Sequence, residues 1–363
     1  MQADTQPQLA DITSLLGQTR QLAMLDVNDT PFLSVYLDTR PGMRGCRQFI
    51  EDKAARIRPQ LPGMARLEFE NAFNMVCRGL ERGWHPEMQG AAIFARGLAG
   101  GRHLTTIPLA IPVRNSLAVY RAPEILPLLA VKDSHPAFTL LLVRQGSVQV
   151  LESNAGRVVQ PARTPVQWLH PAVQRPPQGA LSVSSLQRIH RLLSADTCGP
   201  LVVAADADSL AAVVAWLPRR AVSRLLHRLE VPADLGHAEV VDFVQSSVTA
   251  ALAETRTQLA ARLVRAMRLH GPAVIGQVAT LEALRGGFAE TLVIADGYDA
   301  SGVSQWEAKI ELPRLACAQG VDVVVADSDE LRYLGGVGCL LRRRDREHAM
   351  PLPAHFGQLD LVA

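Results

Sequence analysis

The sequence predicts an α/β protein built from three domains. Short apolar runs rich in β-branched residues alternate along the chain with stretches whose apolar residues recur every three or four positions, as strands alternate with helices. The chain has 363 residues, of which 48% are hydrophobic and 20% charged, so it can form two or three globular cores. Turn-forming residues near His135 and at Gly271 divide the chain into predicted domains of residues 1–133, 134–270 and 271–363.

The first domain opens with a predicted strand over residues 32–37, an apolar run rich in β-branched and aromatic side chains. Helical spacing predicts helices over 46–60 and 64–82. The apolar positions of the second helix are Leu67, Phe69, Phe73, Val76 and Leu80. A buried strand over 90–95 follows, and extended chain interrupted by prolines continues to Asp133.

The second domain opens with a predicted hairpin. Two apolar runs, 138–143 and 148–151, flank the turn-forming residues 144–147. The stretch 160–180 then contains prolines at positions 161, 165, 171, 176 and 177. Prolines at this density exclude a regular helix or a central strand, so we expect an apical loop over 160–184.

The rest of the second domain returns to alternating elements. We expect a helix over 182–194, a buried strand over 201–205 and a helix over 209–217. A long amphipathic helix over 237–268 ends before Gly271 and Pro272. The domain is therefore a sheet covered by helices.

The third domain alternates in the same way. Its predicted elements are a helix through 280–284, a strand over 291–294, a helix over 306–319 and a strand over 321–325. Alternation of this kind implies a mostly parallel sheet covered by helices.

Composition excludes several classes of protein. The net charge is +2, so no global field attracts the chain to nucleic acid or to an anionic membrane. Of the 37 basic residues, three are lysine and the other 34 are arginine. This bias suits phosphate recognition, but a GC-rich coding sequence would also produce it. The five cysteines are far apart and form no C-x-x-C pair, and no run suits a signal peptide or a membrane span. We expect a cytoplasmic protein with no cofactor and no metal.

Residues in all three segments resemble, in family order, the first-subunit peptide-chain release factors of archaea and eukaryotes and their Pelota relatives. In the last segment the matching positions are Gly276, Ala283, Leu284, Gly286, the strand 292–294 and the glycine-rich turn 334–342. In the first segment, 34–38, 90–94 and 127–129 resemble the bacterial branch of this family. The glycines of the last turn also have a purely structural interpretation, as a tight turn into a buried strand.

The resemblance implies a fold for two of the domains. The middle domain would be a ribonuclease-H-like sheet with an apical loop. The last would resemble release-factor domain 3, a kink-turn-binding ribosomal-protein-like α/β sandwich. The resemblance also implies the ribosome and tRNA as partners and no membrane. In family members a Gly-Gly-Gln motif in the apical loop helps water attack the peptidyl-tRNA ester, and a backbone N–H stabilises the developing negative charge.

The chain departs from this pattern because it contains no Gly-Gly-Gln. If the family's serine and following basic helix are matched to Ser185 and Arg188, serine 184 occupies the glutamine position, and serine cannot replace the amide. The alternative is Pro177-Gln178-Gly179 at the tip of the proline-rich loop, which makes Gln178 the catalytic candidate. The same three residues could also form a plain turn.

The basic residues around this loop are candidates for RNA binding. They are Arg163, Arg175, Arg188 and Arg191. Arginines in these positions could pair with phosphates, or they could be ordinary solvated charge. Asp206 and Asp208 follow a strand, as metal-binding carboxylates often do, but we expect Asp208 to cap the next helix and Asp206 to close the strand.

Three functions follow from these features. The first is a release-factor-like protein that hydrolyses peptidyl-tRNA at the ribosome. The second is a non-catalytic ribosome-binding or RNA-binding adaptor of the same fold. The third is an RNA-processing protein that would use Asp206 or Asp208 with a divalent metal.

Overall fold

The structure, a computed structural model, describes residues 9–99, 101–144, 147–165, 189, 193, 200–232, 235, 237–298 and 307–342. These residues form three sheets, each with helices alongside, and this confirms the predicted α/β class. The chain divides into two compact units: Met1–Asp133 together with Ala253–Ala363, and Ser134–Leu252. The three-domain division at residues 133 and 270 stays a prediction.

The N-terminal sheet is antiparallel, with strand order β3-β2-β1-β4. The elements are α1 (Ile12–Ala23), β1 (Phe32–Asp38), α2 (Gly42–Ile57), a 3₁₀ turn (Arg58–Gln60), α3 (Gly63–Arg82), β2 (Gly90–Arg96), β3 (His103–Leu109), β4 (Ser116–Tyr120) and α4 (Leu126–Ser134). Helices α2 and α3 bury their apolar faces with β1 and β2 in one core cluster. The predicted strands and both predicted helices are therefore present.

Two details of the first domain differ from the sequence prediction. Leu67 is 53% exposed, because the buried stripe of α3 runs through Phe69, Phe73, Val76 and Leu80 instead. The chain between β2 and Asp133 is extended only in β3 and β4, and it ends in helix α4. Proline 127 suits the start of this helix, where its missing N–H would have no partner in the helix anyway.

The middle sheet is mixed, with strand order β7-β6-β5-β8-β9. Its elements are β5 (Phe138–Arg144), β6 (Ser147–Asn154), β7 (Arg157–Pro165), β8 (Leu201–Ala205), α5 (Ala207–Trp216), α6 (Arg219–Val222), β9 (Leu225–Glu230) and α7 (His237–Arg268). Strand β6 is antiparallel to both of its neighbours, whereas β5, β8 and β9 run parallel. One face packs against α5 and the other against the first half of α7.

The predicted apical loop over 160–184 begins too early. Residues 160–165 belong to β7, although the strand contains Pro161 and Pro165. Proline is tolerated here because β7 is an edge strand, and among the described residues one side of its backbone has no partner strand. Of the predicted helix 182–194, only Ile189 and Leu193 are described, and the rest lies outside the described residues.

The C-terminal sheet has the order β10-β13-β11-β12. Its elements are β10 (Ala273–Ile275), α8 (Gln277–Arg285), β11 (Ala289–Ala295), a π-helical segment (Glu307–Glu311), α9 (Leu312–Ala318), β12 (Asp322–Ala326), α10 (Asp329–Tyr333) and β13 (Val337–Leu341). The prediction of a mostly parallel sheet was wrong, because only β11 and β12 are parallel. Strand β13 enters between β10 and β11 through the tight turn at Gly335 and Gly336.

Both glycines of this turn have positive φ, +106° at Gly335 and +74° at Gly336. A Cβ at Gly336 would lie 2.2 Å from the Tyr298 ring, so the turn requires glycine for its conformation and for its space. The structural interpretation of these glycines is thereby confirmed.

Candidate functional site

The carboxyl end of the middle sheet is the place where the predicted functional segment begins. Strands β5, β7, β8 and β9 all run toward this end, since β7 and β5 are each antiparallel to β6 and β5, β8 and β9 are parallel. In open α/β sheets, ligand sites form outside the carboxyl ends of the strands. Pro165 is the last residue of β7 and lies opposite Ser147, so the chain that follows starts at this end.

Arg163 is the one predicted RNA-binding residue whose backbone the structure describes. It lies on β7 opposite Gln149, and Gln149 lies opposite Leu142 on β5. Gln149 is only 6% exposed, and its Oε1 has no hydrogen-bond partner. A buried acceptor without a partner is uncommon, because burial without a hydrogen bond costs free energy. The strand register therefore places Gln149, a buried polar residue of β6, opposite Arg163.

The other predicted site residues lie outside the described residues. They are Gln178, Arg175, Arg188 and Arg191. In the sequence, Pro165 and Ile189 flank the stretch that contains Arg175, Gln178 and Arg188, and Ile189 and Leu193 lie on either side of Arg191. Ile189 and Leu193 are buried in the core on the α5 side of the sheet. The assignment of Gln178 as a catalytic residue, and of these arginines to RNA, stays a prediction.

Asp206 follows β8 at the same end of the sheet, and it caps helix α5. The Ser209 N–H donates to Asp206 Oδ1 over 2.9 Å, so Asp206 is the N-cap. Asp208 is exposed in the first turn of the helix. The prediction that Asp208 caps the helix was therefore wrong, because the chain enters the helix two residues earlier than expected. Within the described part of the chain, no group of three metal-ligating side chains is present.

A polar cluster around Asp133, the Asp133 cluster, joins α4 to β12. Lys132 Nζ donates to Asp322 Oδ1 over 2.9 Å and to the Val323 carbonyl over 3.2 Å. The Val325 N–H donates to Asp133 Oδ2 over 3.0 Å, and Arg256 Nη1 donates to the Asp133 carbonyl over 2.7 Å. Burial raises the pKa of Asp133, while the Val325 N–H, Lys132 and Arg256 oppose the rise.

No local sequence pattern predicts this cluster, because its two halves lie about half the chain apart. Asp133 and Val325, for instance, are 192 positions apart. The cluster occupies the open edge of β12, since Val323 and Val325 turn their backbone groups away from β11. It fixes one sheet against a neighbouring helix and carries no group arranged for chemistry.

The first sheet contains a further buried polar pair. Tyr36 is fully buried, and its hydroxyl donates to the Glu124 carbonyl over 2.6 Å. The Glu124 N–H in turn donates to Ser34 Oγ over 2.9 Å. Burial raises the pKa of Tyr36 well above its ordinary value, with the charge of Glu124 as a smaller cause. These bonds anchor the segment before α4 to β1, and we assign them a structural role.

No protein-family model and no curated protein matches the chain. Among solved structures, it is similar to the archaeal translation termination factor aRF1 (14% identity, TM-score 0.30, 92% of this chain and 99% of that one). It is also similar to Archaeoglobus fulgidus Pelota (16%, 0.34, 70% and 80%). A third similar structure is Dom34 of S. cerevisiae, a translation termination-like factor (9%, 0.43, 71% and 81%). At these identities and TM-scores, the similarities do not assign the chain to a family.

Across the part of the chain that the structure describes, no helix is long and apolar enough to cross a membrane.

Proposed function

We propose that the chain is a release-factor-like protein of the bacterial branch that acts in the cytoplasm on the ribosome and its bound tRNA. The observation that carries the proposal is the strand order of the middle sheet. In the order β7-β6-β5-β8-β9, the strand that comes second along the chain within this sheet, β6, is antiparallel to all the others. This is the arrangement expected of a ribonuclease-H-like sheet, and it supports that interpretation of the middle domain.

The strand end from which the proline-rich segment starts adds support. It follows Pro165 at the carboxyl end of the sheet, beyond the edge strand that holds Arg163. A segment anchored by a rigid sheet at its start can present its tip to a distant ester. In the proposed reaction, water attacks the carbonyl carbon of the peptidyl-tRNA ester, and the tRNA hydroxyl leaves.

Gln178 is the proposed catalytic residue. Its side-chain amide would limit access to a nucleophile as small as water, and a neighbouring backbone N–H would stabilise the oxyanion. Gly179 would allow the backbone to approach closely. Arg163, Arg175, Arg188 and Arg191 would pair with phosphates of tRNA or ribosomal RNA.

A second candidate function is a non-catalytic adaptor that binds the ribosome. The absence of Gly-Gly-Gln from the whole sequence favours it. The family motif has two glycines before the glutamine, whereas in residues 177–179, Pro-Gln-Gly, proline precedes the glutamine and the glycine follows it. This adaptor would keep the fold and the partner and lack the hydrolysis.

Peptide release from stalled ribosome–nascent-chain complexes tests both candidates. If the proposed reaction is right, the purified chain frees the peptide and Gln178→Ala abolishes release. Gln174→Ala, in the same segment, serves as the matched control and should retain release. Co-sedimentation with ribosomes in the absence of release would select the adaptor. If the chain neither releases the peptide nor co-sediments with ribosomes, the proposed function is refuted.

A further inference from the structure

A basic surface lies at the edge of the middle sheet opposite β7. It is formed by α6 and β9, and β9 is the last strand of the sheet. Four arginines define this α6–β9 basic surface: Arg219, Arg220, Arg224 and Arg228. The stretch 218–229 contains these arginines and His227 but no aspartate or glutamate. The surface is therefore a local concentration of positive charge in a chain whose net charge is +2.

The fold exposes three of these four arginines. Ala221 is fully buried in the core on the α5 side of the sheet, and Leu225 packs against the same core. Arg219, Arg220 and Arg228 are exposed. Two apolar side chains are exposed among them, Val222 at 44% and Leu226 at 42%. The surface thus combines guanidinium groups with apolar contact area on a rigid support.

Arg224 ties this surface to the chain that follows the predicted loop. Its Nε donates to the Arg220 carbonyl over 3.4 Å, and its Nη2 donates to the Leu193 carbonyl. Leu193 follows Arg191, a predicted RNA-binding residue, by two positions in the sequence. Arg224 therefore fixes the turn between α6 and β9 next to a segment already predicted to contact phosphates.

Two of the exposed arginines, Arg219 and Arg228, have no carboxylate partner among the described residues. Within the described residues, no ion pair joins Arg219 or Arg228 to an aspartate or glutamate. Asp208 lies in the first turn of α5, whereas α6 follows the last turn of that helix. Glu230 ends β9 two positions after Arg228, and within the described residues the two side chains form no ion pair. Within the described part of the chain, the guanidinium groups of Arg219 and Arg228 are therefore exposed and not paired with a carboxylate.

We propose that the α6–β9 basic surface binds the phosphodiester backbone of structured RNA. Guanidinium groups pair with phosphate oxygens through a planar fork of donors, and this contact is independent of sequence. The exposed Val222 and Leu226 would contact the sugar faces between phosphates. The inference rests on the proposed function. Exposed arginines suit both RNA and an acidic protein of similar charge, and we choose RNA because the proposed partner, the ribosome, contains it.

Fluorescence anisotropy of the full chain with a fluorescein-labelled RNA duplex of mixed sequence tests the proposal. We expect Arg219→Glu/Arg228→Glu to weaken binding at least about tenfold and to reduce the slope of log affinity against log salt by about 2 between about 50 and 200 mM salt. Arg262→Glu/Arg285→Glu makes the same charge change at exposed sites elsewhere and should leave affinity within about twofold after correction for net charge.

Three results would overturn the proposal. They are an unchanged affinity of Arg219→Glu/Arg228→Glu, an equal loss in the control variant, and competition by poly-glutamate as strong as competition by unlabelled RNA. Circular dichroism checks folding, and Arg219→Gln/Arg228→Gln replaces the first variant if charge reversal prevents folding.

Ribosome co-sedimentation separates this proposal from the proposed function. If the unsubstituted chain binds the duplex through these arginines but does not pellet with ribosomes, the RNA surface stands and the ribosomal function fails. If it pellets with ribosomes and both double variants bind the duplex like the unsubstituted chain, the ribosomal function stands and this surface is not its RNA contact.

Discussion

Cys339 lies in the middle of β13, between Val274 of β10 and Leu292 of β11, and is fully buried. Burial raises the pKa of its thiol from an ordinary value of 9.0 to about 12. At a pH between these two pKa values, the Cys339 thiol has lost its proton in the unfolded chain and still holds it in the folded chain. The unfolded state then binds fewer protons, so the free energy of unfolding falls as pH rises, by up to about 1.4 kcal/mol per pH unit from this residue.

Urea titrations at pH 9, 10 and 11 measure this slope. Cys339→Ala should make the decline with pH shallower, whatever its own cost in stability at neutral pH. Cys77→Ala removes a partly exposed thiol and should change the slope less. Parallel declines for Cys339→Ala and the unsubstituted chain would show that the thiol ionises equally in both states.

At the scale of elements, α4 protects the open edge of the C-terminal sheet. Strand β12 is an edge strand, and Asp133 and Lys132 bind the N–H of Val325 and the carbonyl of Val323 that face away from the sheet. Asp133→Ala leaves the Val325 N–H without this partner, so we expect a loss of about 1–3 kcal/mol in the free energy of unfolding. The measurement is chemical denaturation at neutral pH.

Asp322→Ala is the matched control, since Asp322 also pairs with Lys132 but its side chain is 62% exposed. Exposed ion pairs contribute little, so this substitution should cost less than about 1 kcal/mol. Equal losses for the two variants would mean that Asp133 acts only through its pairing with Lys132.

Most elements could be predicted from the sequence because their patterns are local. The helix now labelled α7 was expected over 237–268 and has those bounds. Strand β7 was missed because Pro161 excludes a central strand and nothing in the sequence marks an edge. The cap of α5 was placed on Asp208 instead of Asp206, since both residues suit an N-cap and only the backbone decides between them.

The partners of Asp133 could not be predicted for a different reason. They depend on which segments pack together, and no local pattern records a contact between positions 133 and 325. The candidate site divides in the same way. Arg163 has a described backbone position, whereas Gln178 depends on a family resemblance that the chain only partly follows.

On the scale of the whole molecule, the N-terminal and C-terminal segments form one compact unit although the middle segment separates them in the sequence. Arg314 donates to the Ala23 carbonyl at the end of α1, and the Asp133 cluster joins α4 to β12. Units of this kind open cooperatively, so the two sheets should share one unfolding free energy.

Hydrogen exchange under native conditions tests this coupling. Leu331→Ala, in the core of the C-terminal sheet, should lower the opening free energy by about 2–5 kcal/mol. We expect the same loss at the amides of β2 as at those of β11, with none at β8. Leu141→Ala, in the core of the middle sheet, should give the reverse, with a loss at β8 only. A loss confined to β11 in the first variant would show that the N-terminal and C-terminal segments unfold separately, as the three-domain prediction requires.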